Sequence, residues 1–344
     1  MSLIPKAKNK VNRKYVSPAA IRVVERLRAA DYEGYIVGGA VRDLILGNKP
    51  KDFDVATNAT PEEVKGLFRS ARIIGRRFQI VHVRDGREII EVTTYRGPHL
   101  SEDSVKSASK QSDKGLLLRD NVYGTLAEDA ARRDLTINAM YYNPIDGTVL
   151  DQMDGQKDIN ARLVRVLGDP QTRYREDPVR MLRVVRFAAK LQFDIESETE
   201  AAIGVCGPLL AEIPPARLFD EFLKLFMAGH GRPTLLLLLR YQLLDSLCPD
   251  AAFLIEKEPR FKTLVTQAMG NTDQRVKDGR HVTPAFLLAA LLWPVVQTRA
   301  DNLVKAGEAA AQAIHSAGQQ VIAETCQKMA IPKRFSFPMR EIWE

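Results

Sequence analysis

The sequence predicts an α+β protein, with a β-sheet and helices up to about residue 150 and an all-helical remainder. In the first part short β-rich runs alternate with helical ones, which is typical of a sheet with helices packed on it. After about residue 149 the strand signals fade and long segments with helical spacing dominate. With 344 residues, 45% of them hydrophobic, the chain is long for a single core. We therefore expect two or more domains.

Glycines separate the first predicted strand from the helix that follows it. Tyr35–Val37 is β-rich, Gly38 and Gly39 interrupt it, and residues 40–46 have helical spacing. Backbone N–H groups at such a turn can hold phosphate, and Arg42 can neutralise it. An ordinary glycine turn, with Arg42 paired to a neighbouring acid, explains the same residues. Both interpretations stay open at this point.

Two aspartates lie in the next predicted strand, residues 52–56. The two-residue period of a strand directs Asp52 and Asp54 to one face and the apolar residues beside them to the other. Carboxylates that close repel each other, and hard carboxylate oxygens suit Mg²⁺ or Mn²⁺. Two solvated carboxylates at a strand end are the commoner explanation of such a triplet. The motifs around the triplet have to distinguish a metal site from two solvated carboxylates.

Two further helices are predicted in the first part. Residues 16–27 have helical spacing. Thr60, Pro61 and Glu63 combine a capping box with proline at the first helical position. The second helix should therefore run to about Arg69.

A β-hairpin is the clearest local prediction. Residues 78–83 and 88–93 form its arms, and Gly86 in the turn between them tolerates positive φ. Glu91 places a charge in an otherwise apolar arm, which usually needs a cation or a partner. It is a candidate third carboxylate beside the aspartates, and a salt bridge to Arg96 is the alternative.

Composition and spacing predict the structure of most of the remaining segments. Residues 100–114 contain almost no apolar side chains and predict a flexible loop. The most apolar window, residues 284–296, is shorter than the about 20 residues of a membrane-spanning helix and contains Pro294. It predicts a core helix. Long helical segments are predicted at residues 182–191, 216–227, 233–247, 284–296 and 306–329.

Charge and cysteine content restrict the class of protein. Lysine and arginine number 50 against 43 acidic residues, and the net charge of +7 favours an anionic partner such as nucleic acid. Cys206, Cys248 and Cys326 are odd in number, far apart and without a nearby histidine, which argues against disulfides and a zinc site. The N-terminus has basic residues but no apolar stretch, so no secretory signal is expected. A cytoplasmic protein with buried thiols and no membrane span is predicted.

Five motifs occur in a fixed order between about residues 34 and 230. They are Gly38-Gly39-x-x-Arg42-Asp43, Asp52-x-Asp54, Thr57 to Val64, Arg132 to Asn138 and Arg175 to Arg180. This order resembles the class II nucleotidyltransferases, the family of tRNA CCA-adding enzymes and bacterial poly(A) polymerases. The resemblance implies a polymerase-β-like nucleotidyltransferase head with a mixed sheet over residues 1–150. It also implies a helical nucleotide-recognition neck over residues 151–230 and a helical RNA-binding body over residues 231–344.

The resemblance also implies roles for individual residues. Asp52 and Asp54 match the pair that binds the catalytic metals, Glu91 matches a third metal-binding carboxylate, and Asp134 would complete the catalytic centre. Contacts to the nucleotide's phosphates and ribose are implied for Gly38, Gly39, Arg42, Arg132, Arg133 and Asp134.

Base recognition is implied for Asp177 and Arg180, an acid and an arginine that contact the base edge in this family. Judged locally, Asp177 is only a helix N-cap before Pro178. Beyond it, the spacing of Arg183, Arg186 and Lys190 places them on the same helix face as Arg180. That face is a candidate contact for triphosphate or RNA backbone, and a solvated surface is the usual alternative.

Four segments resemble the poly(A) polymerase branch of the family: Ile73–Val83, Leu116–Asn121, Ile213–Arg217 and Ile331–Phe335. The expected reaction is transfer of AMP from ATP to RNA 3′ ends with Mg²⁺ or Mn²⁺ and release of pyrophosphate. A CCA-adding enzyme is the first alternative, and a non-catalytic RNA-binding protein on the same fold is the second. Because members of the poly(A) polymerase branch usually have a further basic region after the last of these four segments, we expect the basic C-terminal tail to be missing.

Overall fold

The computed structural model describes residues 2–75, 79–97 and 122–344, and the chain divides into two compact units, Met1–Gly168 and Asp169–Glu344. The predicted loop at residues 100–114 and the segment Leu116–Asn121 lie outside the described residues. The division falls after Gly168 because the preceding segment is tied to the first unit: Thr136 N donates to Arg165 O, and Leu167 N donates to Asp134 O. The three-part division with boundaries at residues 150 and 230 stays a prediction.

A mixed eight-stranded sheet forms the first unit, as predicted. The strands are β1 (Ser2–Ile4), β2 (Tyr35–Val37), β3 (Asp54–Thr57), β4 (Ala71–Ile74), β5 (Ile80–Asp85), β6 (Glu88–Thr94), β7 (Met140–Tyr142) and β8 (Val149–Asp151), and the short β9 (Leu163–Val164) follows. The order in the sheet is β1-β8-β7-β2-β3-β6-β5-β4, with β3 and β6 parallel and β5 and β6 forming the predicted antiparallel hairpin.

Helices of the first unit begin at side-chain caps that the sequence provides. Ser17 Oγ accepts hydrogen bonds from Ala19 N and Ala20 N, and Thr60 with Glu63 forms the predicted capping box. The helices are α1 (Pro18–Arg28), α2 (Gly39–Ile45), α3 (Pro61–Leu67), α4 (Leu126–Arg132) and α5 (Gly155–Ala161).

The two faces of the sheet are covered differently. Helices α1 and α3 pack on the face that carries the buried side chains Val81, Val83 and Val92. On the opposite face, Ala130 of α4 joins a core cluster with Val37, Ala56, Tyr95, Tyr141 and Leu150. Four members of the cluster belong to β2, β3, β7 and β8, and Tyr95 directly follows β6, so α4 covers the half of this face away from β4 and β5.

The second unit is helical, as predicted. The helix predicted at residues 284–296 continues to Lys305, and the segment 233–247 is broken by Gln242, whose φ is +55°. No helix in the described parts of the chain has the length and apolar character needed to cross a membrane. The elements are α6 (Pro170–Glu176), α7 (Val179–Leu191), β10 (Asp194–Ile195), α8 (Ser197–Cys206), α9 (Pro215–Phe226), α10 (Gly231–Arg240), α11 (Leu244–Leu247), α12 (Pro249–Lys257), α13 (Pro259–Lys277), α14 (Pro284–Lys305), α15 (Ala310–Lys328) and α16 (Lys333–Trp343).

Candidate active site

One row of register partners crosses the sheet at the candidate site. Val37 on β2 is opposite Asp54 on β3, Asp54 is opposite Glu91 on β6, and Glu91 is opposite His82 on β5. Register partners direct their side chains to the same face of a sheet. This site row therefore places two of the three predicted metal-binding carboxylates on adjacent strands.

Asp52 lies just before β3, because the strand begins at Asp54 and not at residue 52 as predicted. The predicted alternation holds nonetheless: Asp52 is exposed, Phe53 is buried and Asp54 is half-buried. Burial, and then the charges of Glu91 and Asp52, raise the pKa of Asp54 to about 6, against the opposing charge of Arg133. The three carboxylates therefore share one electrostatic environment.

The structure gives Glu91 a partner that the sequence did not suggest: His82 Nε2 lies 3.2 Å from Glu91 Oε1. Within the described residues, no three or more His, Cys, Asp or Glu side chains converge in a way that could hold a metal ion. The chemistry of the carboxylates still fits a hard divalent cation. Burial and then the charges of Glu91 and Asp52 raise the pKa of Asp54, and a bound cation would stabilise its ionised form. A metal-binding role for Asp52, Asp54 and Glu91 stays a prediction.

Arg133 is held beside the site row by several neighbours. Its Nη2 donates to Asp129 Oδ2 at 3.2 Å, its Nε to Tyr141 OH at 3.2 Å and its Nη1 to Asn138 O at 3.3 Å. The guanidinium also lies 5.1 Å from the centroid of the Tyr141 ring, and Tyr141 OH donates to Asp129 Oδ2 at 2.5 Å. Because these contacts fix the side chain, Arg133 loses little conformational freedom when it binds an anion.

Arg42 lies in the interior of the unit, with only 2% of it exposed. Its Nε donates to Asp43 Oδ1 at 2.8 Å and its Nη1 to Asn138 Oδ1 at 2.6 Å. Asn138 Nδ2 in turn donates to Asp134 Oδ1 at 3.4 Å. Arg42 is therefore paired with a neighbouring acid, Asp43, as one of the two interpretations of the sequence expected. Through Asn138 it also supports the segment that carries Asp134. Its phosphate contact stays a prediction.

A cavity of about 260 Å³ opens beside Asp54. Guanidinium groups recognise phosphate oxygens with directed, charge-assisted hydrogen bonds. A cavity with three arginines in its wall therefore fits a phosphorylated ligand. The wall contains Asp54, Glu91, Arg132 and Arg133, which the sequence predicted for a site, and Val37, Thr93, Arg96 and Asp129, which it did not.

In the second unit, Asp177 and Arg180 have different partners. Asp177 Oδ2 accepts a hydrogen bond from Arg217 Nη2 at 2.7 Å, and its Oδ1 accepts one from Val179 N at the start of α7. Arg180 Nη1 donates to Glu176 Oε2 at 2.7 Å. An ion pair between Asp177 and Arg180 is absent from the described contacts, and their contact with the base stays a prediction.

The basic residues of α7 are more exposed than most of its apolar residues. Arg183 and Arg186 are half-buried and Lys190 is exposed, whereas Leu182 and Val185 are buried. The helix is therefore amphipathic, as the spacing predicted. Contact of the three basic residues with phosphate stays a prediction.

Three family models match the chain: "Poly A polymerase head domain" at residues 34–165, "Probable RNA and SrmB- binding site of polymerase A" at residues 192–254 and "Polymerase A arginine-rich C-terminus" at residues 306–344. The chain is 46% identical over 347 aligned residues to poly(A) polymerase I of Salmonella typhimurium strain LT2, with 100% of this chain and 75% of that protein covered. The chain belongs to the poly(A) polymerase I family. The site row and the arginine-lined cavity both lie within the matched head.

Enzymes of the CCA-adding branch match the chain over a shorter stretch. The CCA-adding enzyme of Lactobacillus gasseri is 39% identical over 213 residues, which cover 62% of this chain and 51% of that enzyme. The crystal structure of the Bacillus stearothermophilus CCA-adding enzyme in complex with CTP aligns with a TM-score of 0.59 at 25% identity, over 95% of this chain and 82% of that one. The nucleotidyltransferase fold is common to both branches, and the sequence match that covers the whole of this chain is to poly(A) polymerase I.

Gly38 offers a test of how tightly the site row is built in this member of the poly(A) polymerase I family. Its φ is +72°, and an added Cβ would lie 3.4 Å from Arg133 Nη1 and 4.0 Å from Asp54 Oδ2. We expect Gly38→Ala to lower the free energy of unfolding by about 1–3 kcal/mol, measured in urea, because a side chain is strained at this φ. The added Cβ itself would make only van der Waals contact with Arg133, but relief of the strain should shift this turn beside Arg133 and lower AMP incorporation.

Gly47→Ala is the matched control, since Gly47 has a φ of +78° but no atom within 4 Å of an added Cβ. It should lose stability and keep its activity. Equal losses of activity in the two variants would show that the geometry of the turn beside Arg133 does not matter.

Proposed function

We propose that the first unit transfers AMP from ATP to the 3′ hydroxyl of RNA and releases pyrophosphate. By family the chain is a polynucleotide adenylyltransferase. The observation that carries the proposal is the adjacency of Asp54 and Glu91 beside an arginine-lined cavity of the head. We place the reaction in the cytoplasm. Of the three cysteines predicted to be buried thiols, Cys206 and Cys248 are buried and Cys326 is half-buried.

Asp52, Asp54 and Glu91 would hold the divalent cations, Mg²⁺ or Mn²⁺, that this chemistry uses. When bound, such cations would stabilise negative charge on the attacking hydroxyl and on the leaving phosphate oxygens. Asp54 is the central member, because the charges of the other two already act on it.

Arginines of the cavity would bind the triphosphate of ATP. In the transfer, the RNA 3′ hydroxyl releases its proton to solvent, its oxygen forms a bond to the α-phosphorus, the bond from that phosphorus to the bridging oxygen breaks, and pyrophosphate leaves. Charge then grows on the pyrophosphate, and donors that are already fixed stabilise it without reorganising. Arg133 has this property because Asp129, Tyr141 and Asn138 hold it.

Further contacts are proposed from the family motifs. Asp177 and Arg180 would contact the adenine. Gly38, Gly39, Arg42, Arg132 and Asp134 would position the phosphates and the ribose, with Arg42 acting through Asn138. The α7 residues Arg183, Arg186 and Lys190 would contact phosphates of the triphosphate or of RNA.

A primer-extension assay tests the proposal. A generic RNA primer is incubated with Mg²⁺ and each of the four nucleoside triphosphates separately, and the products are separated on a gel. We expect a ladder with ATP and its loss when the cations are chelated. Incorporation of CTP before ATP, ending after a fixed addition on tRNA, would identify a CCA-adding enzyme instead. Absence of metal-dependent incorporation on any RNA would indicate a non-catalytic RNA-binding protein.

A further inference from the structure

The outer three strands of the sheet carry exposed side chains on the face that contains the site row. Along β4 and β5 burial alternates: Val81 and Val83 are buried beneath the helices, whereas Arg72, Ile74 and Arg84 are exposed. Ile89 at the start of β6 is exposed on the same face, so the described residues of these three strands include a group of exposed side chains beyond the half that α4 covers. We call Arg72, Ile74, His82, Arg84 and Ile89 of this face the outer strip.

The outer strip is continuous with the active site. Arg72 is opposite His82, His82 is opposite Glu91, and Glu91 is opposite Asp54, so the site row extends to the edge strand. Arg84 is opposite Ile89 on the same face. With about 4.8 Å between neighbouring strands, the row reaches about 14 Å from Asp54 to Arg72.

The charge of the outer strip is positive and available. No ion pair or side-chain hydrogen bond holds the guanidinium of Arg72 or Arg84 in the described part of the chain. Ile74 and Ile89 are both 46% exposed, and they add apolar surface between the charges. A surface with separated cations and apolar patches fits a single-stranded nucleic acid, whose phosphates meet the cations and whose bases cover the apolar side chains.

We infer that the outer strip binds the single-stranded segment of RNA that precedes the reacting 3′ end. This inference rests on the proposed function, since it requires that the 3′ hydroxyl is delivered to Asp54. The residues of the strip belong to the matched head, residues 34–165. None of them belongs to residues 192–254, which match the RNA-binding family model. The head thus makes its own contact with RNA, and that contact directs the 3′ end along the site row.

The test removes both charges of the strip in the full chain. Arg72→Gln/Arg84→Gln is compared with Lys65→Gln/Arg69→Gln, which removes two exposed charges near α3, outside the strip. AMP incorporation into a single-stranded RNA primer gives the KM values for RNA and ATP. Binding of the same primer at several salt concentrations gives the salt dependence of the affinity.

We expect the strip variant to raise the KM for RNA on the order of tenfold and by more than it lowers kcat. The slope of log affinity against log salt should become shallower by about 1.4, since each phosphate contact with a single strand contributes about 0.7. The control variant should match the wild type. A thiouridine placed near the 3′ end should crosslink to peptides of β4 or β5.

Wild-type incorporation of AMP with identical RNA constants and salt slopes in the two double variants would overturn the inference, and the face would then serve another partner such as a protein. Absence of incorporation by the wild type itself would instead contradict the proposed function. The two failures are therefore distinguishable.

Discussion

Asp54→Asn is expected to abolish AMP incorporation and, at the same time, to make the protein more stable. Loss of the central carboxylate should cost at least about 10³-fold in kcat/KM, because metal-assisted charge stabilisation contributes several kcal/mol to such reactions. The amide keeps the shape of the side chain. A loss of activity without unfolding would assign the carboxylate to the chemistry.

The gain in stability follows from the pKa of Asp54, which burial and then the charges of Glu91 and Asp52 raise from 3.8 to about 6. A raised pKa means that the folded state binds the proton more tightly than the unfolded state. Ionisation of Asp54 therefore costs stability, which is lost as the pH rises from about 4 to about 6. At pH 7, in buffer without divalent cations, Asn should remove a cost of up to about 3 kcal/mol.

Urea unfolding at several pH values, paired with primer extension, measures both effects. Asp52→Ala should also abolish incorporation, but it should stabilise the fold much less because Asp52 is exposed. Glu62→Gln removes an exposed carboxylate from α3 and should change neither quantity. Near-normal turnover of Asp54→Asn would refute its catalytic role, and a lower free energy of unfolding would show that the carboxylate serves the fold instead.

Features set by neighbouring residues could be predicted from the sequence. The capping box of Thr60, the strand Tyr35–Val37 and the hairpin around Gly86 were confirmed, because each depends on side chains within a few positions. The alternation of faces around Asp54 was confirmed for the same reason, although the strand begins two residues later than predicted.

Features set by strand pairing could not be predicted in this way. The period of a strand gives the face of a side chain but not its neighbour on the next strand, which depends on register. The adjacency of Asp54 and Glu91, and the contact of Glu91 with His82, appear only once β3, β6 and β5 are aligned. The hydrogen bond from Arg42 to Asn138 could not be predicted either, since the two residues are distant in sequence.

Arg133→Ala is expected to have the second largest effect. Its guanidinium lies in the cavity wall and lowers the pKa of Asp54, so its charge acts where phosphate is proposed to bind. Removal of one fixed donor from a catalytic site typically costs about 10²- to 10³-fold. We expect a loss of this size in kcat/KM for ATP, measured by AMP incorporation at saturating RNA, and partial recovery when free guanidinium ion is added.

Tyr141→Phe tests whether activity depends on how firmly Arg133 is held, and not only on its charge. The variant keeps the guanidinium but removes the hydroxyl that accepts from Arg133 Nε and donates to Asp129. It should lower kcat by about tenfold, and free guanidinium should not restore it, because the arginine is still present but less firmly held. Arg22→Ala, which removes an exposed arginine paired with Asp85, is the control and should keep full activity. If Arg133→Ala behaves like Arg22→Ala, the triphosphate is bound elsewhere, and the fixed guanidinium serves only to join α4 to β7.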